Sequence, residues 1–224
     1  MDDEMNFTRN ENKRPVIAID IDGVCVKWQS GLPYYLAKHA LNTDNALKCI
    51  LTEEFMSPAE LFGCDPAIAK IFMEDYNKSN FIKYLSPYQD ALEMINTMKE
   101  HWDFVAVTAL GTDKDTVMNR MFNLNALFPG AFKDIFVCNF GESKDQILKR
   151  VRFKYENIVM FIDDVCSNIE SASRVLPDVP RYYIQRGPRP ECPVPHYTAK
   201  DLNEVRLHYL SRVLPIQEYA EKTF

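Results

Sequence analysis

The run Pro15-Val16-Ile17-Ala18-Ile19-Asp20-Ile21-Asp22-Gly23 decides the fold. Its first five residues are apolar and rich in β-branched side chains, without the polar alternation of a half-exposed strand. They read as a strand buried on both faces that ends in a glycine turn. Three later runs look alike, 104–108 (FVAVT), 134–138 (DIFVC) and 158–162 (IVMFI), and 181–185 (RYYIQ) is a weaker fifth. Between them, 88–100, 113–124, 143–152 and 166–175 have helical character. Strands alternating with helices over short connections imply right-handed crossovers and a parallel sheet covered on both faces. The expected class is therefore α/β, a doubly wound, Rossmann-like sheet, and its ligand site should form at the carboxyl ends of the strands.

The alternation breaks once. About sixty residues after Val26 hold no convincing strand, whereas 32–41, 46–54 and 66–77 read as helices, with Ser57-Pro58 and Asp65-Pro66 as helix starts. The expected organisation is a polar tail at 1–14, an α/β core made of 15–27 and 86–224, and a small helical cap at 28–85 inserted after the first strand. The stretch 187–195 (GPRPECPVP) is too rich in proline for regular structure and should be a surface loop before a last helix from about Lys200.

Composition narrows the partners. The chain has 224 residues, 46% of them hydrophobic, and a formal net charge of −6, so no broad cationic surface is available for a long nucleic acid. Its six cysteines are scattered, with no C-x-x-C pair and no zinc-like Cys/His spacing. The N-terminal residues are polar and acidic where a signal peptide needs an apolar run, and no stretch approaches a membrane span. The expectation is a cytoplasmic protein with reduced thiols and no membrane partner. A homodimer is compatible with the sequence and not required by it.

Four strand ends carry polar groups that would face one crevice: Asp20 and Asp22, then Thr108, then Lys144, then Asp163-Asp164. Singly, each has an ordinary explanation as a turn former, a helix cap or a solvated lysine. Together they form a crowd of carboxylates that would shift toward protonation unless a cation neutralised it. Carboxylate oxygens beside open water positions suit Mg²⁺, and a lysine with a threonine hydroxyl suits the oxygens of a phosphoryl group. One aspartate can then attack phosphorus while a second, two residues on and pointing the same way along the strand, protonates the leaving oxygen and later activates water.

These residues resemble the four motifs of the haloacid dehalogenase superfamily, in that superfamily's order and over most of the chain. The resemblance implies Asp20 as nucleophile and metal ligand, and Asp22 as acid/base with its carbonyl on the metal. It implies Thr108, Ala109 and Lys144 at the phosphate, Asp164 as a direct Mg²⁺ ligand and Asp163 as a supporting carboxylate. An aspartate two positions after the nucleophile favours the phosphatases over the dehalogenases. Within the superfamily the chain is most similar to the 5'(3')-deoxyribonucleotidases, through the position of the cap, the stretch 80–91 (NFIKYLSPYQDA) and the spacing from Thr108 to Asp164. In that setting Trp28 and Phe55 fall where those enzymes place aromatic rings against the nucleobase, although a hydrophobic seam between cap and core would also use them. Ala109 stands where those nucleotidases usually carry serine, and Val165 where they carry a basic residue.

The implied activity is Mg²⁺-dependent hydrolysis of a phosphate monoester, with a nucleoside monophosphate as substrate. The alternatives are a sugar phosphate or phosphoserine as substrate, and a catalytically silent binding protein on the same scaffold. A signalling receiver module has the same residue types in a different order and has no use for a cap. A P-loop kinase is excluded by the lack of a G-x-x-x-x-G-K-[ST] run.

Overall fold

The computed structural model describes residues 14–213. The expected tail, apart from Arg14, lies outside the described residues. Arg14 itself is tied down, with Nη2 donating to the Lys99 carbonyl at 2.7 Å and Nε 3.4 Å from Asp103.

In chain order, β1 (Val16–Ile19) is followed by β2 (Val26–Lys27), a 3₁₀ turn at Trp28–Gly31, and helices α1 (Leu32–Lys38), α2 (Asp44–Thr52), α3 (Pro58–Phe62) and α4 (Pro66–Lys78). A second 3₁₀ turn, Asn80–Tyr84, leads to β3 (Ser86–Pro87) and α5 (Gln89–Met98). Strands and helices then alternate as β4 (Asp103–Ala109), α6 (Lys114–Leu127), β5 (Phe132–Cys138), α7 (Asp145–Lys154), β6 (Ile158–Asp163), α8 (Cys166–Val175) and β7 (Arg181–Ile184). The last described elements are β8 (Tyr197–Ala199) and α9 (Leu202–Val213).

The main sheet has six parallel strands in the order β5-β4-β1-β6-β7-β8. The chain winds outward from β1 through β4 to β5, then crosses back to β6 on the other side. The reversal occurs at β1, where helices leave in opposite directions and open a crevice at the carboxyl ends. Side-chain alternation explains why β1 lacks polar residues. Ile17 and Ile19 enter one apolar cluster with Phe104 and Ala106, while Val16 and Ala18 enter the opposite one with Val105 and Val107.

The segment between β2 and β3 is helical, and those two short strands pair antiparallel, Val26 with Pro87 and Lys27 with Ser86. The segment therefore leaves and rejoins the α/β layers at one place. Both predicted helix starts are found. Ser57 forms a capping box with Glu60 ahead of Pro58, and the Asp65 carboxylate accepts from the Ala67 N–H at 2.8 Å ahead of Pro66. An aromatic group of Tyr35, Phe62 and Tyr76 fills the interior of the segment, with Tyr35 and Tyr76 centroids 5.2 Å apart and the rings inclined at 65° in an edge contact. Its exit is held by α6. The Asn119 amide donates to the Lys78 and Ser79 carbonyls and the Asn123 amide to those of Lys83 and Leu85.

Some boundaries differ from expectation. The helix expected at 46–54 runs Asp44–Thr52, because Glu53 adopts a left-handed φ of 53°. The one expected at 32–41 ends at Lys38, before Ala40, which also has a positive φ. The strand β8 and the β2-β3 pair were not expected. No helix among the described residues is long and apolar enough to cross a membrane.

Candidate active site

The sheet reversal brings the strand-end residues together. Asp20 follows β1 directly, and its N–H still pairs with the Ile162 carbonyl of β6 at 2.9 Å, so its carboxylate is fixed beside that of Asp163. Asp20, Asp163 and Asp164 each place a carboxylate oxygen within 4.8 Å of the others. Lys144, fully buried, lies between them, with Nζ 2.9 Å from Asp20, 2.7 Å from Asp163 and 2.8 Å from the Val107 carbonyl. An ammonium has three N–H donors, and all three are directed at protein oxygens.

The two neighbouring aspartates of β6 differ. Asp163 accepts from Lys144, from the Val165 N–H at 2.9 Å and from the Asn168 amide at 3.0 Å, so it is bound on both oxygens. Asp164, among the described residues, accepts from Arg189 Nη2 alone, at 3.2 Å. Gly23 makes this packing feasible. Its φ is +77° and an added Cβ would lie 2.3 Å from Asp164 Oδ2, so no side chain fits there.

Burial pushes the Asp20 carboxyl well above its usual range; Lys144 opposes this, and the charges of Asp163, Asp164 and Asp22 reinforce it. Burial and the Asp163 charge likewise raise Asp164 to about 6, against the pull of Arg189. Burial alone would lower Lys144, but the Asp163 and Asp20 carboxylates outweigh it and hold the ammonium charged. The local protein cations therefore leave the carboxylates short of positive charge. A hard divalent ion fits that donor set of carboxylate oxygens.

Asp22 lies two residues beyond Asp20, with Ile21 buried between them. Its carboxylate is ion-paired to the fully buried guanidinium of Arg120 from α6, which fixes its direction. A cavity of about 360 Å³ opens in front of Asp20 and Asp22, and Thr108, Ala109, Lys144 and Asp164 also line it. Thr108 is fully buried and its Oγ1 has no hydrogen-bond partner among the described residues. A hydroxyl in that condition is a donor awaiting an oxygen.

The far wall comes from the helical segment. Trp28 and Phe55 both line the cavity. The Trp28 indole N–H donates to Asn77 Oδ1 at 2.9 Å and its ring meets Tyr76 edge-on at 5.0 Å, whereas Phe55 is 68% exposed. Between them a polar cluster forms, in which Glu53 Oε2 accepts from Gln29 at 2.7 Å and from the Tyr88 hydroxyl at 2.8 Å.

Sequence reasoning placed Asp20, Asp22, Thr108, Lys144, Asp163 and Asp164 in one crevice and missed Arg120, Arg189 and the Gln29-Glu53-Tyr88 cluster. A faint signal for Arg120 existed. Asn119, Arg120 and Asn123 put a polar patch on α6 at helical spacing, and that patch is buried. Nothing in the proline-rich run distinguished Arg189.

Comparison with known proteins agrees on the fold. No protein-family model matches the chain. An uncharacterised 32.4 kDa protein of Enterobacteria phage T4 is 49% identical over 180 residues, which is 80% of this chain and 64% of that protein; the chain thus spans somewhat under two thirds of its relative. Among solved structures, a haloacid dehalogenase-like hydrolase from Streptococcus pneumoniae superposes with a TM-score of 0.60 at 15% identity, over 88% of this chain and 98% of the other. A protein described as a HAD hydrolase from Bacillus subtilis, bound to magnesium, gives 0.59 at 15% identity, over 88% and 99%. The L-2-haloacid dehalogenase of Xanthobacter autotrophicus gives 0.58 at 11% identity, over 90% and 100%. The fold is that of the haloacid dehalogenase-like proteins.

Proposed function

We propose that the chain is a Mg²⁺-dependent phosphomonoester hydrolase that works through a phosphoaspartate on Asp20, with a nucleoside monophosphate, deoxy or ribo, as its substrate. The observation that carries this reading is the arrangement of Asp20 in one cavity with Asp22, Asp164 and the unpartnered hydroxyl of Thr108, its carboxylate held in place by Lys144. The Asp20 and Asp164 carboxylates, with the Asp22 carbonyl, would hold the ion, as the magnesium-bound B. subtilis neighbour makes reasonable for this fold. When bound, Mg²⁺ supplies positive charge that offsets the carboxylates and the phosphate together.

The chain's own residues then divide the chemistry. An Asp20 oxygen attacks phosphorus in line, the bond from phosphorus to the ester oxygen breaks, and Asp22, which enters the step protonated on the oxygen that Arg120 does not hold, gives the ester oxygen its proton. Asp22, now a carboxylate directed by Arg120, takes a proton from water. The water oxygen attacks phosphorus, the bond to Asp20 breaks, and inorganic phosphate leaves. Thr108 donates its hydroxyl to a phosphoryl oxygen, and Lys144 keeps Asp20 aligned while contributing charge. The solved neighbours include both hydrolases and dehalogenases, and Asp22 favours the former because dehalogenation needs no second acid.

Substrate class is read from the far wall. We take 28–85 as a cap whose Trp28 and Phe55 border a largely apolar cavity wide enough for a flat ring, which favours a nucleobase. The Gln29-Glu53-Tyr88 cluster favours a hydroxyl-rich group and keeps a sugar phosphate as the second reading. A panel of phosphate esters assayed with Mg²⁺ separates them. Deoxynucleoside monophosphates should have the highest kcat/KM, and EDTA should abolish activity that added Mg²⁺ restores. Sugar phosphates ranking equal or better would reject the nucleotidase reading, and no hydrolysis of any ester would reject the whole.

A further inference from the structure

The substrate brings a phosphoryl group with up to two negative charges into a cavity whose cationic lining residues, among those described, are Lys144 and Arg189. Lys144 cannot point an N–H at it without abandoning a partner, since its three donors already hold Asp20, Asp163 and the Val107 carbonyl. We infer that Arg189, from the proline-rich loop, is the charged donor that grips the phosphoryl oxygens, an inference that rests on the hydrolase reading above.

Three features of the loop carry this. The Arg189 side chain is only 8% exposed, and its Nε has no hydrogen-bond partner among the described residues. Leaving a buried guanidinium N–H unpaired is costly, so the group is poised for an acceptor. Its hold on Asp164, a single contact at 3.2 Å, is longer than the roughly 2.7–2.9 Å of a strong charge-assisted bond. A ligand oxygen can therefore replace it at small cost, while Nη1 stays on the Glu53 carbonyl at 2.8 Å.

The backbone that leads into Arg189 is fixed at two points. Arg186 makes a bidentate pair with Asp90 at 2.7 and 3.0 Å, donates to the Gly23 and Val24 carbonyls, and lies over the Tyr88 ring at 3.6 Å. Gly187 then passes so close to the end of α2 that an added Cβ would sit 2.5 Å from the Glu53 carbonyl oxygen. This strap sets the guanidinium between Asp164 and the helical segment, and the fork geometry of arginine suits a phosphoryl group. Arg120, the other buried guanidinium near the site, also has an Nε without a partner among the described residues, but both its terminal nitrogens are held, by Asp22 and Asn123, and it does not line the cavity.

Titration calorimetry of the full chain with inorganic phosphate, in the presence of Mg²⁺, tests the inference. Arg189→Met should weaken phosphate binding by roughly ten- to a hundredfold, the loss of one charged hydrogen bond, and Arg189→Lys should recover part of it. Equal affinity in all three proteins would overturn it, leaving Arg189 as a tie between loop and helices. Should Arg189→Met not fold, the Arg189 Nε–H resonance of the ¹⁵N-labelled wild type, assigned with Arg189→Lys, gives the same answer: phosphate should shift it, and an unmoved signal overturns the proposal. Failure of the hydrolase reading looks different. Wild type would then hydrolyse no ester yet still bind phosphate through Arg189, whereas hydrolysis with Arg189-independent phosphate affinity would sink this inference alone.

Discussion

Lys144 and the three aspartates around it define how protons and cations compete at this site. Burial raises both Asp20 and Asp164, the latter to about 6 from an ordinary 3.8. A carboxyl whose folded pKa is raised binds its proton more tightly in the native state than in the unfolded chain. Its contribution to stability is then complete below the unfolded value and is lost as pH rises through about 6. Metal-free protein should therefore melt at a higher temperature near pH 5 than near pH 7, and Mg²⁺ should raise the melting temperature more at the higher pH, where no proton has to be displaced. Thermal melts with and without Mg²⁺ at both pH values check this; a Mg²⁺ effect independent of pH would contradict it. The aspartates, Thr108 and Lys144 were legible in the sequence because each ends a strand or opens a helix, and the fold class alone directs such positions to one crevice. Arg120 and Arg189 were not legible. Whether a lone arginine is solvated or buried is decided by the partner it meets, and Asp22 and Asp164 lie 98 and 25 residues away.

Elements set these distances. β1 is central because it is apolar on both faces; its neighbour β6 delivers Asp163 level with Asp20, and β4 delivers Thr108 one residue further along. On α6, polar residues hold the end of the helical segment where an apolar stripe would be expected. Asn123 is buried, donates to two carbonyls at 3.2 and 3.1 Å, and accepts from Arg120. Asn123→Ala leaves those groups without partners and should cost roughly 1–3 kcal/mol in urea unfolding; an unchanged midpoint would show that water replaces the amide. The five main strands were readable because an unbroken apolar run marks a strand buried on both faces, and most helices because they fill the polar stretches between such runs. The three-residue β8 and the two-residue β2 and β3 are too short to carry one. The ends of α1 and α2 escaped for another reason. They depend on positive φ at Ala40 and Glu53, residue types that give no warning of it.

At the scale of the whole molecule, one topological fact organises the site. The sheet reverses at β1, so the first strand end lies between the second and fourth main strands, and the helical segment returns to the same point through β2 and β3. The strap at 186–189 crosses from the α/β layers to that segment, so Asp20, Asp22, Thr108, Arg189 and the far wall all border one cavity. The likeness to solved haloacid dehalogenase-like proteins extends over most of the chain at identities too low to carry a substrate, which leaves the chemistry to be decided by the residues themselves. The decisive measurement is chemical trapping of the intermediate. The Asp22→Asn protein, which lacks the base of the second step, is mixed with Mg²⁺ and an aryl phosphate, whose leaving group needs no proton from Asp22, then quenched in acid and reduced with borohydride, which converts an acyl phosphate to an alcohol. Mass spectrometry should find homoserine at position 20 and nowhere else; homoserine at another aspartate, or continued turnover by Asp20→Asn, would contradict the assignment of Asp20 as the nucleophile.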